Sequence, residues 1–239
     1  MFLTTPFTDL RLTTADLVLR PVDEAGLSTL VVVLPDDVEL DPRATTYDGV
    51  GPHERRAAAL RQTTWASAGT WSPADWALPF VVAAGGEVVG SQVLEGTDFR
   101  HTRTVDSASW LVPGARGRGW GVQARAAVLA LAFGWLEAEY AVSSAWHDNH
   151  ASLAVSRRLG YEPNGETIHH GGDRVDTMVH LRLRRARWVE DGAGDTVRVE
   201  GFAACRPYFG LQGRGPEDRA AGESTEEEQA DLGRVRPGR

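Results

Sequence analysis

The chain has 239 residues, enough for one sizeable domain with extensions, and its 24% of charged residues is ordinary for a globular protein. Its net charge of −8 argues against broad nonspecific binding of nucleic acid, which needs a basic surface. The single cysteine, Cys205, excludes an intrachain disulfide framework. No apolar run reaches the roughly 18 residues that span a bilayer, and no secretory signal is visible at the N-terminus, so we expect a cytoplasmic protein.

The first third of the chain predicts one short strand and two helices. Residues 1–16 show no clear pattern and are expected to form an irregular arm. Residues 17–20 are typical of a strand that ends at Pro21, and a helix over about 23–34 begins with two acidic residues. The acidic stretch 35–51 shows no period. A second helix is expected over about 53–69, where four residues share a face: Ala57, Leu60, Thr64 and Trp65.

The centre of the chain is rich in strand-forming residues. Residues 76–83 and 87–94 flank the pair Gly85-Gly86, which is a strong hairpin signal. A third strand is expected over about 104–112. Antiparallel hairpins therefore lead into the glycine-rich stretch that follows.

A long apolar helix is predicted over 121–138. Its buried stripe is expected to consist of Val122, Ala126, Leu129, Ala130 and Phe133. A strand at 140–146 and a helix over about 150–159 come next, the helix capped by Asp148-Asn149 and ended by Gly160. Beyond them we expect strands near 166–170 and 174–183, a short helix at 184–190 and a short strand at 196–199.

These elements divide the chain into three parts. We expect residues 1–185 to form one domain and residues 186–212 to form an extension that packs on it. Residues 213–239 are polar and rich in Gly, Pro and charge, which predicts a disordered tail.

The stretch from Val112 to Val122 lies between a predicted strand and a predicted helix. Four glycines alternate there with Arg116 and Arg118. The free amides of a helix N-terminus and the helix dipole favour an anion, and glycines let a phosphate approach the backbone. Arginine adds donors that match phosphate oxygens. The stretch therefore predicts a phosphate site, unless it is a surface turn rich in Gly and Arg.

Two motifs together resemble the GNAT N-acetyltransferase superfamily. Its phosphate loop begins with Gln or Arg, has Gly three residues later and has Gly or Ala two residues after that, as Arg116, Gly119 and Gly121 do. About 27 residues further on, the family has Asn-x-x-Ser and then Leu-Gly-Phe or Leu-Gly-Tyr, which Asn149, Ser152 and 159–161 match. The resemblance covers roughly residues 15–185. It is closest to the branch that acetylates ribosomal-protein N-termini, whose third strand ends in an aromatic–aliphatic pair such as Trp110-Leu111.

The resemblance implies an α/β (α+β) fold, with a mixed, mostly antiparallel sheet that splays open in its middle and is flanked by helices. It also implies acetyl-CoA, or another short acyl-CoA, as cosubstrate in the splay. The pyrophosphate would lie on the amides of 116–121, and the pantetheine would pair with the strand before them. The residues implied in CoA binding are Trp110, Leu111, Val112, Arg116, Gly117, Arg118, Gly119, Trp120, Gly121, Val122, Asn149 and Ser152.

The implied reaction is direct transfer in a ternary complex, in which a neutral amine attacks the thioester and a thiolate leaves. Many members place a tyrosine seven residues after the asparagine to protonate that thiolate, but this position is Ser156. Ser156 could hydrogen-bond to the thiolate, and Ser152 competes for the role. For the general base, often a glutamate on the preceding strands, the candidates are Asp106 and, less directly, His147.

The acceptor implied is a primary amine, on a small molecule or at a peptide N-terminus. We expect no metal, because the seven histidines lack ligand spacing. No membrane partner is expected, and either a monomer or a homodimer would fit. Two other functions remain open: a transferase that uses an aminoacyl-tRNA donor, whose phosphates Arg116 and Arg118 would meet, and a module that binds acyl-CoA without turnover.

Overall fold

The computed structural model describes residues 6–39, 45, 47–171 and 174–211. Nine strands within these ranges form one sheet. They are β1 (Arg11–Thr13), β2 (Leu17–Pro21), β3 (Trp76–Ala84), β4 (Glu87–Gly96), β5 (Thr104–Leu111), β6 (Tyr140–Trp146), β7 (Glu162–Gly171), β8 (Arg174–Arg184) and β9 (Arg198–Glu200). The order across the sheet is β7-β8-β6-β5-β4-β3-β2-β1-β9. Only β5 and β6 pair in parallel, so the predicted mixed, mostly antiparallel sheet is confirmed.

Helices flank this sheet. Within the described ranges they are α1 (Glu24–Val33), α2 (Pro52–Gly69), α3 (Phe99–Thr102), α4 (Trp120–Gly134), α5 (His150–Arg158), α6 (Arg185–Glu190) and α7 (Phe202–Cys205). In this part of the chain, none of them is long and apolar enough to cross a bilayer. The predicted helices are present, although α4 ends four residues earlier than the apolar run suggested.

The sheet opens between β5 and β6. These strands pair only where Thr104 lies opposite Tyr140 and Val105 lies opposite Ala141. Beyond that point β5 follows β4 as far as Leu111, whereas β6 follows β8 as far as Trp146. The facing edges of the two strands therefore diverge, which confirms the expected splay and leaves backbone groups free to bind another extended chain.

Helix α4 is enclosed on more sides than its predicted stripe implied. Leu129, Ala130 and Phe133 are buried as predicted, but Val122 and Ala126 are only partly buried. The buried face instead continues through Ala124, Ala127, Val128 and Leu131. The helix contacts the sheet as far as its edge strand β9 and also contacts α5, and Phe133 packs on Trp188 of α6, so most of its circumference is covered.

The N-terminal arm and the C-terminal extension meet at the far edge of the sheet. Residues 11–13 form β1 rather than an irregular arm, because β9 supplies an antiparallel partner from the distant C-terminal segment. Phe202 and Phe209 of the extension are buried, and Phe209 packs against Phe7, Trp71 and Phe202. The tail predicted at 213–239 lies outside the described residues.

Candidate functional site

The splay holds a cavity of about 780 Å³. Its walls come from β3, β4 and β5 on one side and from the first turns of α4 and α5 on the other. Residues 37–39, after α1, and one face of α2 complete the lining. The cavity therefore lies where the predicted phosphate loop, the open strand edge and the second motif converge.

The glycine loop, residues 116–121, contributes Arg116 and Gly121 to the lining of this cavity. Gly117 and Gly119 have φ of 75° and 80°, a conformation that side chains resist, and a Cβ at either would meet open space. Gly119 caps α4, and Val122 and Gln123 both donate to its carbonyl. The amides of Trp120 and Gly121 precede these first helical bonds, at the positive end of the helix dipole. This local geometry fits an anion.

Arg116 connects the glycine loop to the segment after α1. Its Nε donates to the Leu111 carbonyl at 2.9 Å, and its two terminal nitrogens lie 2.5 and 2.8 Å from the carboxylate of Asp37. The hydrogen bond from Arg116 lowers the pKa of Asp37. Both side chains line the cavity. Arg118 instead lies over the ring of Trp120, 5.2 Å from its centroid.

The free edge of β5 forms the cavity wall that the resemblance implied for the pantetheine. Ala108 and Ser109 are exposed within the strand, and Trp110 and Leu111 also line the cavity. Val112 is half-buried, and its amide donates to the Val89 carbonyl of β4 at 2.9 Å.

Asn149 and Ser152 of the second motif lie in the cavity wall, whereas Ser156, one turn further along α5, does not. The Asn149 side chain accepts from the Ser152 amide at 3.0 Å and so caps α5, which gives it a structural role in addition to its place in the cavity wall. Ser152 also lines the cavity. Ser156 is fully buried, faces α4, and is outside the described cavity lining.

A buried polar cluster lies where α4, α5 and β6 meet. Arg125 is only 4% exposed, and its Nη1 donates to the hydroxyls of Ser143 at 3.2 Å and Ser156 at 2.6 Å. Burial lowers the pKa of this guanidinium, while Tyr161 and Asp106 favour its charge. Arg125 also contributes to the cavity wall, beside Ser107 and Ser152.

Two carboxyl groups lie side by side at the closed end of the splay. Glu95 of β4 is directly opposite Asp106 of β5, so both point to the same face of the sheet. Burial, together with the charge of Glu95, raises the pKa of Asp106 to about 6, against the opposing effects of the Ser107 amide and Arg125. Glu95 lines the cavity. Asp106 can therefore exchange a proton near pH 6.

Other acidic groups and His147 complete the surroundings. Glu39 lines the cavity and accepts from Trp146 Nε1 at 2.9 and 3.0 Å. His147 Nε2 lies 3.1 Å from Asp176, in a surface cluster with Arg174, and it is not part of the described lining. Within the described ranges, no three His, Cys, Asp or Glu side chains are grouped to hold a metal ion.

The family model described as the acetyltransferase (GNAT) domain matches residues 16–162. The chain belongs to the GNAT acetyltransferase family. Its activity is accordingly the transfer of an acyl group from acyl-CoA to an amine. The loop and cavity described above are therefore those of a GNAT enzyme.

Solved structures show the same GNAT fold at low identity. Mycobacterium smegmatis RimJ in complex with CoA-disulfide is 18% identical, with a TM-score of 0.61 over 78% of this chain and 96% of that one. RimL, a ribosomal L7/L12 alpha-N-protein acetyltransferase in complex with coenzyme A, is 16% identical, with a TM-score of 0.55 over 72% and 95%. A Vibrio cholerae putative ribosomal-protein-serine acetyltransferase is 17% identical, with a TM-score of 0.56 over 74% and 98%.

Sequence reasoning missed three side chains of this site. Glu95 was missed because the predicted strand ended at residue 94, one residue before it. Glu39 lies in a stretch without helical or strand periodicity, so nothing in the sequence indicated that it lies near the splay. Arg125 carried the one usable signal, a single charge in an apolar helix.

Proposed function

We propose that this GNAT enzyme transfers an acetyl or other short acyl group to a primary amine bound on the acidic side of the splay cavity. One observation carries the proposal: Arg116 and Gly121 of the glycine loop line the same cavity as Glu95, which lies directly opposite Asp106 in the sheet. An anion-binding element and a proton acceptor are thus joined by the free edge of β5.

The donor half of the site is supported by the loop. The amides of Trp120 and Gly121 would hold the pyrophosphate of acyl-CoA, and the open space above Gly117 and Gly119 would admit it. The unpaired edge of β5 offers hydrogen bonds to the amides of the pantetheine. Bound there, acyl-CoA supplies the thioester.

The acceptor half of the site is acidic. Glu39 and Glu95 line the cavity away from the glycine loop's arginine, which favours an amine that arrives as a cation. Among amines we favour a peptide N-terminus, because RimL is named as a ribosomal-protein acetyltransferase.

The carboxyl pair would prepare that amine for attack. Two carboxylates on one face of the sheet resist being ionised together, so the pair readily takes up a proton. Transfer of the ammonium proton to Asp106 or Glu95 leaves a neutral nitrogen, which can attack the thioester carbonyl. Free backbone groups at the edge of β5 can orient that carbonyl.

The donor assignment is tested by a matched pair of variants at Gly121. A Cβ there would lie 3.5 Å from Val155, an ordinary contact, and the position does not require a positive φ. Gly121→Ala should therefore bind CoA within about threefold of the wild type, whereas Gly121→Glu places a negative charge among the phosphate-binding amides and should weaken binding at least a hundredfold, or about 3 kcal/mol. Gly119 is a poorer choice, because any side chain there is strained as well.

Isothermal titration with CoA and acetyl-CoA gives the result. If the wild type binds neither, the donor assignment is wrong, and a tRNA-linked donor becomes the better explanation. If Gly121→Glu binds as the wild type does, the pyrophosphate lies elsewhere. Release of free thiol from acetyl-CoA that depends on added N-terminal peptides would exclude a module that only binds.

We also propose that the protein is located in the cytoplasm. Cys205 is buried and unpaired, which fits the reducing environment of the cytoplasm.

A further inference from the structure

Arg125 is a cation kept inside the protein without an ion pair. Its guanidinium donates to two serine hydroxyls, and within the described ranges it forms no ion pair with a carboxylate. Its Nε is buried and has no partner. Burial lowers the pKa of this guanidinium despite the favourable charge of Asp106, so the buried cation destabilises the fold and ordinary packing does not explain why this helix carries it.

Apart from Tyr161 and Asp106, which interact with it electrostatically, Arg125 has apolar or small surroundings. Ala124, Ala127 and Val128 beside it on α4 are buried, as expected for a helix that is covered on most sides. Ser143 and Ser156 do not need the arginine, because Ser156 also donates to the Ser152 carbonyl at 3.2 Å and lies 3.5 Å from Ser143. The two serines therefore hold the guanidinium in place, and the guanidinium is not needed to hold the serines.

The position of Arg125 points to the reacting end of the donor. It lies five residues after Trp120 on the helix whose N-terminus would hold the pyrophosphate, and its side chain contributes to the cavity wall. Ser107 of β5 and Ser152 of α5 line the same region, on the two sides of the splay. A pantetheine arm that followed the free edge of β5 inward would bring its sulfur toward this cation.

We propose that Arg125 stabilises the thiolate of CoA as it leaves, and that Ser143 and Ser156 position its guanidinium for this role. The inference rests on the proposed function. In this step the C–N bond forms and the C–S bond breaks, with the electron pair going to sulfur. One proton of the ammonium goes to Asp106 or Glu95 before the attack, and the nitrogen loses a second proton to solvent water as the amide forms.

Arginine suits this role because it carries charge without being a proton donor at ordinary pH. The thiolate would leave as an anion beside the guanidinium and take its proton from water after release. Ser156 stands where the resemblance places a tyrosine, and its small side chain leaves room for Arg125 from the neighbouring helix. Charge stabilisation would thus replace proton donation.

The ionisation of bound CoA tests this directly, without knowledge of the acceptor. The ultraviolet absorbance of the thiolate is titrated against pH for CoA bound to each variant, with the unliganded protein as blank. Cys205 does not interfere, since burial raises the pKa of its thiol to about 12. In the wild type the thiol pKa of bound CoA should fall at least one unit below that of free CoA, a tenfold gain in thiolate at a given pH.

The variants separate charge from packing. Arg125→Met should return the thiol pKa to that of free CoA and lower kcat by about a hundredfold, while CoA affinity changes less than threefold. Arg125→Lys should keep part of the shift, and Ser156→Ala should lose part of it. Arg158→Gln, at an exposed position on α5, is the control and should behave as the wild type.

The outcomes are distinct. If the wild type binds CoA but its thiol pKa equals that of free CoA, or if Arg125→Met leaves a lowered pKa unchanged, the role of Arg125 is wrong and the proposed function stands. If the wild type does not bind CoA, the proposed function itself fails. Should Arg125→Met be unfolded, Arg125→Lys and Ser156→Ala still decide the question.

Discussion

Asp106 lies at the closed end of the splay, and its surroundings determine how the enzyme responds to pH. Burial raises its pKa to about 6, and Glu95 on the opposite strand contributes to that rise. A base must be ionised to accept a proton, so kcat/KM should fall as the pH drops through about 6. Asp106→Asn should lower kcat/KM at least tenfold at neutral pH and remove this limb from the profile. If kcat/KM of Asp106→Asn still falls as the pH drops through about 6, the ionisation of another group causes that fall.

The same raised pKa has a cost in stability. Above pH 6 the folded protein holds the ionised carboxyl of Asp106 in a poorly solvated place. Between pH 3.8 and about pH 6 the folded protein binds more protons than the unfolded chain. The cost is therefore full above the folded pKa, shrinks as the pH falls from about 6 towards 3.8, and vanishes below. Asp106→Asn keeps the oxygen that accepts from the Ser107 amide, and it should gain about 2 kcal/mol at pH 7.5.

Urea unfolding at several pH values measures this gain. It should be largest at pH 7.5 and clearly smaller at pH 4.5. Thr104→Ser, at the start of the same strand, provides an uncharged comparison whose effect should not change with pH. A gain for Asp106→Asn that stayed constant with pH would mean that its carboxyl has an ordinary pKa in the folded protein.

Single residues show what the sequence could and could not predict. Arg116 and Gly119 were predicted because both lie in one loop whose residue types suit a phosphate, whereas Ser152 was implied by the family resemblance. Glu95 and Asp106 meet only because β4 and β5 have a particular register, and one residue of error in a strand end hides such a pair. Ser156 was predicted by position alone, and its burial against Arg125 depends on how two helices pack.

At the scale of elements, the Arg116–Asp37 pair links the glycine loop to the segment after α1. The side chains are 42% and 58% exposed, so the pair contributes little stability. Asp37 nevertheless binds the guanidinium of Arg116, which is next to the expected pyrophosphate, and brings a negative charge to the cavity. Asp37→Asn should therefore tighten CoA binding about two- to fivefold at low salt, and less at high salt.

Asp36→Asn is the natural control for this prediction. Asp36 is the neighbouring residue, but it interacts with Arg56 and His53 rather than with the glycine loop. Its substitution should leave CoA affinity unchanged in the same calorimetric titration. Weaker binding by Asp37→Asn would instead show that Asp37 holds Arg116 in place for the phosphate.

Elements were predicted well where their signals are local. The pair Gly85-Gly86 and the capping Asn149 fixed a hairpin and a helix start within a residue or two. Strand β7 was predicted to begin at 166, whereas it begins at Glu162. Pro163 and Gly165 disfavour a strand, and here they lie at a register shift on the edge of the sheet, where such residues are tolerated.

At the scale of the whole molecule, strands β1 and β9, which are far apart in sequence, pair at one edge of the sheet. Strand β1 has three residues and acquires its second partner, β9, from nearly 190 residues away along the chain, a distance no local pattern reveals. The splay itself follows from topology, since β5 and β6 share two paired positions and then follow different neighbours. The family resemblance predicted it, and composition did not.

The extension is expected to be part of the folded domain rather than an appendage. Phe209 is 1% exposed, and its ring centroid lies 4.9 Å from that of Trp76 and 5.2 Å from that of Trp71. Phe209→Ala should cost about 3–5 kcal/mol and lower the unfolding temperature by roughly 10 °C, because it leaves a cavity among four aromatic rings. Val189→Ala, at a 65% exposed position of the same extension, should change stability by less than about 0.5 kcal/mol. Differential scanning calorimetry decides the matter: a single cooperative transition that shifts with Phe209→Ala makes the extension part of the domain, whereas an unshifted transition would make it a separate appendage.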